Sequence, residues 1–265
     1  MDIKILFIGD IVSKLGRNAV KELLPSIKKE YGIDFVIANG ENTTNGRGIS
    51  FDHYNELKSY GIDVFTSGDH IFHLDQTKDL VENLDIVIPL NSQKNVKGKR
   101  FINLKTKNED ITVVSLISNE LGHKKETSEN YENPYFAIRQ FINEFHPKNL
   151  FIDFHAEFTS EKQALKYYLK DEAVAIVGTH THIQTADEQI FNKKLAFITD
   201  CGMTGSTNSI LGVESEIIVK RLLLGDKAPF EWVKNGESEL NAVVITIDTI
   251  KNTAKNILRV NKKLN

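Results

Sequence analysis

Carboxylates and imidazoles recur in this chain at one kind of place, a few residues past a short apolar run. The run at 3–8 leads to Asp10, the run at 35–38 to Glu41, and the run at 64–66 to Asp69. Further on, 150–152 leads to His155, and 174–177 leads to His180 and His182. In an open α/β sheet ligands bind beyond the carboxyl ends of the strands, so residues far apart in sequence meet there in one cleft. A solvated surface acid or loop imidazole is the plainer reading of any one of these residues, but it does not account for the repetition. His180-Thr181-His182 carries the same tension. Residues i and i+2 of a strand share a face, yet an HxH triplet by itself is ordinarily a pair of loop histidines. Donor sets of Asp, Glu, Asn and His suit iron, manganese and zinc. Two such ions, about 3.5–4 Å apart, clamp the attacking and leaving oxygens of an in-line displacement. Phosphate esters match that clamp because their charge spreads over several oxygens. The expected chemistry is metal-assisted hydrolysis of a phosphate ester.

The elements that must position these residues are strands alternating with helix-length segments. Helices are expected at 18–31 and at about 51–60, the second ended by Gly61. The alternation implies a largely parallel α/β core, and the tightly apolar strands imply cover on both faces. The texture changes between 86 and 116. Runs at 101–104 and 111–114 flank a polar turn at 105–110, which reads as a hairpin and makes the sheet mixed. The segment 118–133 is polar and is expected to form an exposed loop or helix. The run at 242–247 reads as the last strand. With 265 residues and no repeat or linker, the chain is expected to be a single domain over 1–265, with a small cap within about 71–135.

Composition narrows the classes. The chain has 33 Lys plus Arg against 36 Asp plus Glu, for a net charge of -3. No strong global field follows, so neither a nucleic-acid coat nor a polybasic membrane anchor is implied. Cys201 is the only cysteine, which rules out an internal disulfide and a CxxC metal site. No stretch approaches the roughly 20 apolar residues of a membrane span. The first residues enter a strand without the pattern of a signal peptide, so a cytoplasmic location is expected.

The segments KILFIGDIVSKLGR from Lys4, IANGENTTNGRGI from Ile37 and TSGDHIF from Thr66 resemble the calcineurin-like metallophosphoesterases, and among them the bacterial YmdB-type group. IDFHAEFTSEK from Ile152, VGTHTHIQTADEQI from Val177 and ITDCGMTGSTNSILG from Ile198 continue the likeness in the same order. The resemblance implies a four-layer α/β/β/α sandwich with mixed sheets and a dinuclear centre of iron and/or manganese, with zinc a further fit. It also implies phosphodiesterase activity on 2′,3′-cyclic nucleotides by in-line attack of a metal-bound hydroxide, and a homo-oligomer such as a tetramer. Residue by residue, it makes Asp10, His182 and Asn42 ligands of a first ion and Glu41 the bridge. Asp69, His155 and His180 complete the second ion. His70 takes the part of the general acid on the leaving alkoxide, a task suited to an imidazole whose ordinary pKa of about 6.5 lies near working pH.

Two departures stand out. The GNH of the family reads GDH here, so Asp69 adds a negative charge beside the metals and is expected to bind ions more tightly and make them less electrophilic. The first-strand DxH of the wider superfamily is absent, since Ile11 and Val12 follow Asp10, and Asn42 is expected to fill that place. A weakly active or non-catalytic protein that binds nucleotide or RNA is therefore the alternative, and a dinuclear amidohydrolase is a third. Other features take bland readings. His53, His73, His123 and His146 lack ligand-like context, His73 being the least secure. Cys201 reads as a buried small hydrophobe, Arg47 as solvated, and Thr159 or Ser160 as a helix cap.

Overall fold

The computed structural model describes residues 2–75, 81–93, 95–118 and 131–264. His123 and most of the polar 118–133 segment lie outside them. The strands in chain order are β1 (Asp2–Ile8), β2 (Asp10–Ile11), β3 (Phe35–Asn39), β4 (Val64–Thr66), β5 (Phe101–Leu104) and β6 (Ile111–Ile117). They continue with β7 (Asn149–His155), β8 (Ala173–Thr179), β9 (Gln189–Phe191), β10 (Leu195–Ile198), β11 (Met203–Ser206), β12 (Ser238–Asp248) and β13 (Thr253–Leu264). The helices are α1 (Ser13–Tyr31), α2 (Phe51–Ser59), α3 (Pro134–Phe145), α4 (Thr159–Tyr168) and α5 (Ser215–Leu224).

Two mixed sheets result. One runs β2-β11-β12-β1-β3-β4 with β13 paired to β12, and the other runs β5-β6-β7-β8-β10-β9. Period-two alternation sorts the side chains into layers. Ile3, Ile5 and Phe7 of β1 meet Val113, Phe151 and Ile198 in a core between the sheets. Leu6 and Ile8 of the same strand face Val20, Leu24 and Ile27 of α1. On the far side, Leu150, Ile152 and Phe154 of β7 pack on Ile138 and Leu165 from α3 and α4. This is the expected α/β/β/α sandwich. The alternation that sends Ile152 and Phe154 outward leaves Asp153 and His155 on the face toward the other sheet.

The parallel strands β1, β3 and β4, with β6, β7 and β8 opposite, end on the same side of the sandwich. That shared end gathers the strand-end residues. The 101–114 hairpin is present as antiparallel β5 and β6, which are part of the second sheet; residues 76–80, 94 and 119–130 lie outside the described residues. Among the described residues no helix is long and apolar enough to cross a membrane.

Three expectations need correction. The first helix begins at Ser13 rather than Asn18. Gly16 and Pro25 are poor helix formers, but Gly16 lets the helix backbone lie against that of Thr204, where any Cβ would overlap the Thr204 carbonyl. The last strand is β13, not the run at 242–247, which extends to 238–248 as β12. Helix α4 starts at Thr159 with Phe158 in the capping position and no side-chain cap, so neither Thr159 nor Ser160 serves as cap.

Candidate metal centre

Asp10 stands on β2 just past the end of β1, fully buried, and its carboxylate accepts the backbone N–H of His180 at 3.1 Å and the amide of Asn42 at 3.2 Å. Glu41 and Asn42 follow β3 and are 1% and 3% exposed. Glu41 Oε1 lies 2.9 Å from His155 Nε2 and 3.8 Å from His70 Nδ1. Asp69 opens a short 3-10 turn after β4, its Oδ1 3.7 Å from His155 Nε2 and its Oδ2 3.7 Å from His70 Nε2. The backbone reaches Asp69 through Gly68, where a Cβ would overlap Glu41 Oε2 and the His155 ring. Only glycine permits so close an approach there.

Three of the four imidazoles, those of His155, His180 and His182, come from the second sheet, and His70 follows Asp69 in the first. His155 ends β7, and its Nε2 lies 3.0 Å from His180 Nδ1. His180 and His182 follow β8 with φ of 96° and 66°, left-handed backbone that costs a non-glycine residue on the order of 1–3 kcal/mol. His182 Nε2 sits 3.8 Å from Asp10 Oδ1 and 3.4 Å from Asn42 Nδ2. Three overlapping groups each place their ligand atoms within 4.8 Å of one another: Asp69, His155 and His180; Asp10, Glu41 and His155; and Glu41, Asp69 and His70. The structure thus brings all eight predicted site residues to one cleft. Asn42 directs its amide nitrogen toward Asp10 and His182, and its oxygen lies 3.1 Å from His70 Nδ1. Ligation through the oxygen would require turning the amide over, a rotation that preserves its shape.

The cleft's own chemistry fits divalent ions. Among the described residues, the ion pairs of Asp10, Glu41 and Asp69 are all to imidazoles. Glu41 Oε2, Asp69 Oδ1 and His182 Nδ1 are buried without a hydrogen-bond partner, and a buried polar group left unsatisfied is costly. Burial pushes the Asp10 carboxyl above its ordinary range, with Glu41 adding to the rise. Burial acts the same way on Glu41, but the adjacent His155 overrides it and holds that carboxyl far below its usual value. His155 is raised to about 10, because the Glu41 carboxylate outweighs the effect of burial. His180 is lowered to about 2 by burial and by the neighbouring His155. A cation shared among these carboxylates would relieve their repulsion, which is the electrostatic role of a metal in such sites.

A set of buried residues that the spacing did not flag holds the imidazoles. Asp153, fully buried on β7, accepts from Asn39 Nδ2 at 3.0 Å, Thr66 Oγ1 at 2.5 Å and Thr179 Oγ1 at 2.8 Å. Burial lifts it to about 6. Thr179 Oγ1 in turn lies 2.9 Å from His155 Nδ1. Lys162, also fully buried, donates to the Thr179 carbonyl and to Asp200 Oδ2, each at 2.8 Å. Asp200 accepts the backbone N–H groups of Thr181 and Gly202. Glu157 lies 2.9 Å from His180 Nε2. A polar residue inside or just after an apolar strand was the available signal. His73 holds its ring 4.7 Å from that of His70, beside the cleft, while His53 pairs with Thr44 at 2.7 Å. Cys201 is buried, and burial raises its thiol well above the usual value, which matches a packing role.

Comparison with known proteins identifies the family. The model of the YmdB-like protein family matches residues 6–260. The 2′,3′-cyclic-nucleotide 2′-phosphodiesterase of Bacillus subtilis is 37% identical over 260 residues, covering 97% of this chain and 96% of the relative. The crystal structure of a novel phosphatase from Mycoplasma pneumoniae superposes with a TM-score of 0.92 at 30% identity, over 99% of this chain and 94% of that one. A hypothetical protein from Thermus thermophilus gives a TM-score of 0.90 at 32% identity, over 98% and 99% of the two chains. The chain belongs to the YmdB-like family.

Proposed function

We propose that this chain is a two-metal phosphodiesterase that opens 2′,3′-cyclic nucleotides at the 2′ ester. The observation that carries the proposal is the cluster itself: three carboxylates and three imidazoles from facing sheets, with buried acceptor atoms left unpartnered. Its likeness to the Bacillus subtilis phosphodiesterase supports the substrate class. Asp10, Asn42 and His182 would hold one ion, Asp69, His155 and His180 the other, and Glu41 would bridge them. When bound, the ions would lower the pKa of a coordinated water and neutralise charge on the phosphoryl oxygens. Iron and manganese suit this donor set, and zinc is a further fit. In the reaction a P–O bond forms to the oxygen of water, the P–O2′ bond breaks, and a proton reaches the departing O2′. His70 is the donor of that proton. Its Nδ1 is engaged by Asn42 at 3.1 Å, which leaves Nε2 to serve the leaving oxygen. The side chain is 32% exposed, so it can be reprotonated from solvent.

We further propose that the whole of 1–265 forms one catalytic unit, cytoplasmic and assembled as a homo-oligomer. A regulatory protein that binds nucleotide or RNA without turnover is the second reading, and Asp69 favours it, because a third carboxylate at the cluster lowers the electrophilicity of bound ions. Incubation with adenosine 2′,3′-cyclic phosphate and manganese separates the two. Release of adenosine 3′-monophosphate, abolished by chelator and cut by about 10²–10⁴ in His70→Ala, is the expected result. Tight nucleotide binding with no product across manganese, iron and zinc would establish the second reading instead.

A further inference from the structure

A cavity of about 510 Å³ adjoins the metal-ligand cluster. Asp69 is common to both, and Phe72, His73, Ser92 and Tyr131 line the cavity beyond it. Its wall is a fastened structure. The Arg100 guanidinium donates to five backbone carbonyls of one loop, those of Pro89, Leu90, Ser92, Gln93 and Val96, at 2.7–3.3 Å. Asn91 ties the same loop to the backbone of Ile117 and Glu132, and a β-bridge joins Ser92 to Tyr131. So many bonds devoted to an irregular loop keep the space open and its lining in register.

Ser92 is the telling residue. It is 5% exposed, it lines the cavity, and its buried Oγ has no hydrogen-bond partner among the described residues. A buried hydroxyl without a partner is the exception in folded proteins and points to a group supplied from elsewhere. Around it stand the rings of Phe72, His73 and Tyr131, whose faces suit a planar heterocycle. Asp69 at the inner end disfavours a second anionic group, and Lys97 at the rim is 74% exposed and 4.0 Å from Glu82. The volume lies in the range of small-molecule sites, about 300–1,000 Å³.

We infer that this cavity is the nucleoside subsite. The phosphate of the substrate sits at the metal cluster, the ribose passes the His70 and His73 rings, and the base stacks in the cavity with one edge on Ser92 Oγ. A hydroxyl both donates and accepts, so Ser92 engages an edge of any of the common bases and the subsite selects for a base without choosing strongly among them. The inference rests on the phosphodiesterase reading of the cluster.

The test compares adenosine 2′,3′-cyclic phosphate with 1,4-anhydroribitol 2,3-cyclic phosphate, which carries the same cyclic ester and no base. The parent is set beside Ser92→Leu, which fills the cavity, and Phe72→Ala, which removes a stacking face at a half-buried position and keeps the test alive should the first variant not fold. The parent is expected to favour the nucleotide by about tenfold or more in kcat/KM, within the range that one stacked base contributes. That ratio should drop at least about fivefold in each folded variant, through a higher KM for the nucleotide. A parent ratio near one, or an unchanged ratio in the variants, overturns the subsite while leaving the phosphodiesterase intact. If the parent cleaves neither compound, the phosphodiesterase reading fails. The subsite then stands or falls on equilibrium binding of adenosine 3′-monophosphate to the manganese-loaded proteins. Weakening of at least about tenfold in the variants would uphold it, and equal binding would overturn it.

Discussion

The two sheets contribute opposite halves of the cleft. The first supplies oxygen-bearing side chains: Asp10 on β2 just past β1, and Glu41, Asn42 and Asp69 on turns that follow β3 and β4. The second supplies His155, His180 and His182 from the ends of β7 and β8. Their supports differ as much as their chemistry. The first-sheet ligands lean on backbone and on one another, with Gly68 admitting the chain past Glu41. The second-sheet ligands occupy left-handed backbone at His180 and His182 and are braced by buried charge, through Asp153 with Thr179 and through Lys162 with Asp200. The oxygen-bearing side chains have little behind them, whereas the imidazoles, His155 at a strand end and His180 and His182 on left-handed backbone, have a polar scaffold at their backs. Two of the three groups of close-set ligand atoms draw on both halves, Asp69 with His155 and His180, and Asp10 and Glu41 with His155. The site exists only where the core between the sheets holds them face to face.

That contrast can be broken most directly at Glu41, which touches both halves. Glu41→Gln keeps the shape and removes the charge. It should lower kcat/KM by about 10³, as loss of a central electrostatic group does, and should strip metal from the purified protein. Steady-state kinetics with elemental analysis reads both. The brace comes next. Lys162→Met leaves Asp200 buried and unpaired, and such a break costs about 3–5 kcal/mol; urea unfolding curves would show a loss of unfolding free energy of that size. A loss below about 1 kcal/mol would mean that the second sheet does not depend on its polar scaffold.

Asp153→Asn is subtler, because it puts a donor where Thr66, Thr179 and Asn39 all donate. A stability loss of about 1–3 kcal/mol is expected. Because Thr179 orients His155, metal affinity should also fall about 10–100-fold, measurable by competition with a chelating dye. The smallest effect concerns pH. In metal-stripped protein His155 is raised from 6.5 to about 10, so the folded state binds more protons than the unfolded state between those values. The stabilisation this supplies is complete below pH 6.5 and is lost as pH rises through about 10. Thermal melts of stripped protein across that window should fall, and the slope should flatten in His155→Gln.

The layered fold and the gathering of these residues in one cleft were legible because period-two apolar runs mark buried strands and because carboxylates and imidazoles stood at their ends. Resemblance to the YmdB-type group added what spacing could not, namely Asn42 beside Glu41 and a part for His70. The braces left only a faint trace, a polar residue inside or just after an apolar strand. Asp153 and Thr179 sit within strands whose apolar neighbours fix the pattern, and Lys162 sits in a helix where a lysine ordinarily faces water. Nothing local distinguishes a lysine that will be buried against Asp200, since the partner is 38 residues away. The last strand escaped for a different reason. In β13 the exposed positions include Lys, Asn, Arg and Leu258, and only Ala254, Ile257 and Val260 are buried, a pattern that does not alternate and is hard to read without its partner β12. The start of α1 was hidden by Gly16, whose value lies in contact with Thr204 and not in helix propensity.

The central claim is that the facing halves together hold two metal ions. Elemental analysis of the purified chain by mass spectrometry, run beside Glu41→Gln and an Asp153→Asn control, tests it most directly. The account predicts two transition-metal ions per parent chain, drawn from iron and manganese, with both depleted in the Glu41 variant and partial loss in the control. A parent that hydrolyses adenosine 2′,3′-cyclic phosphate at full rate in excess chelator, with no more than one ion bound, would contradict it.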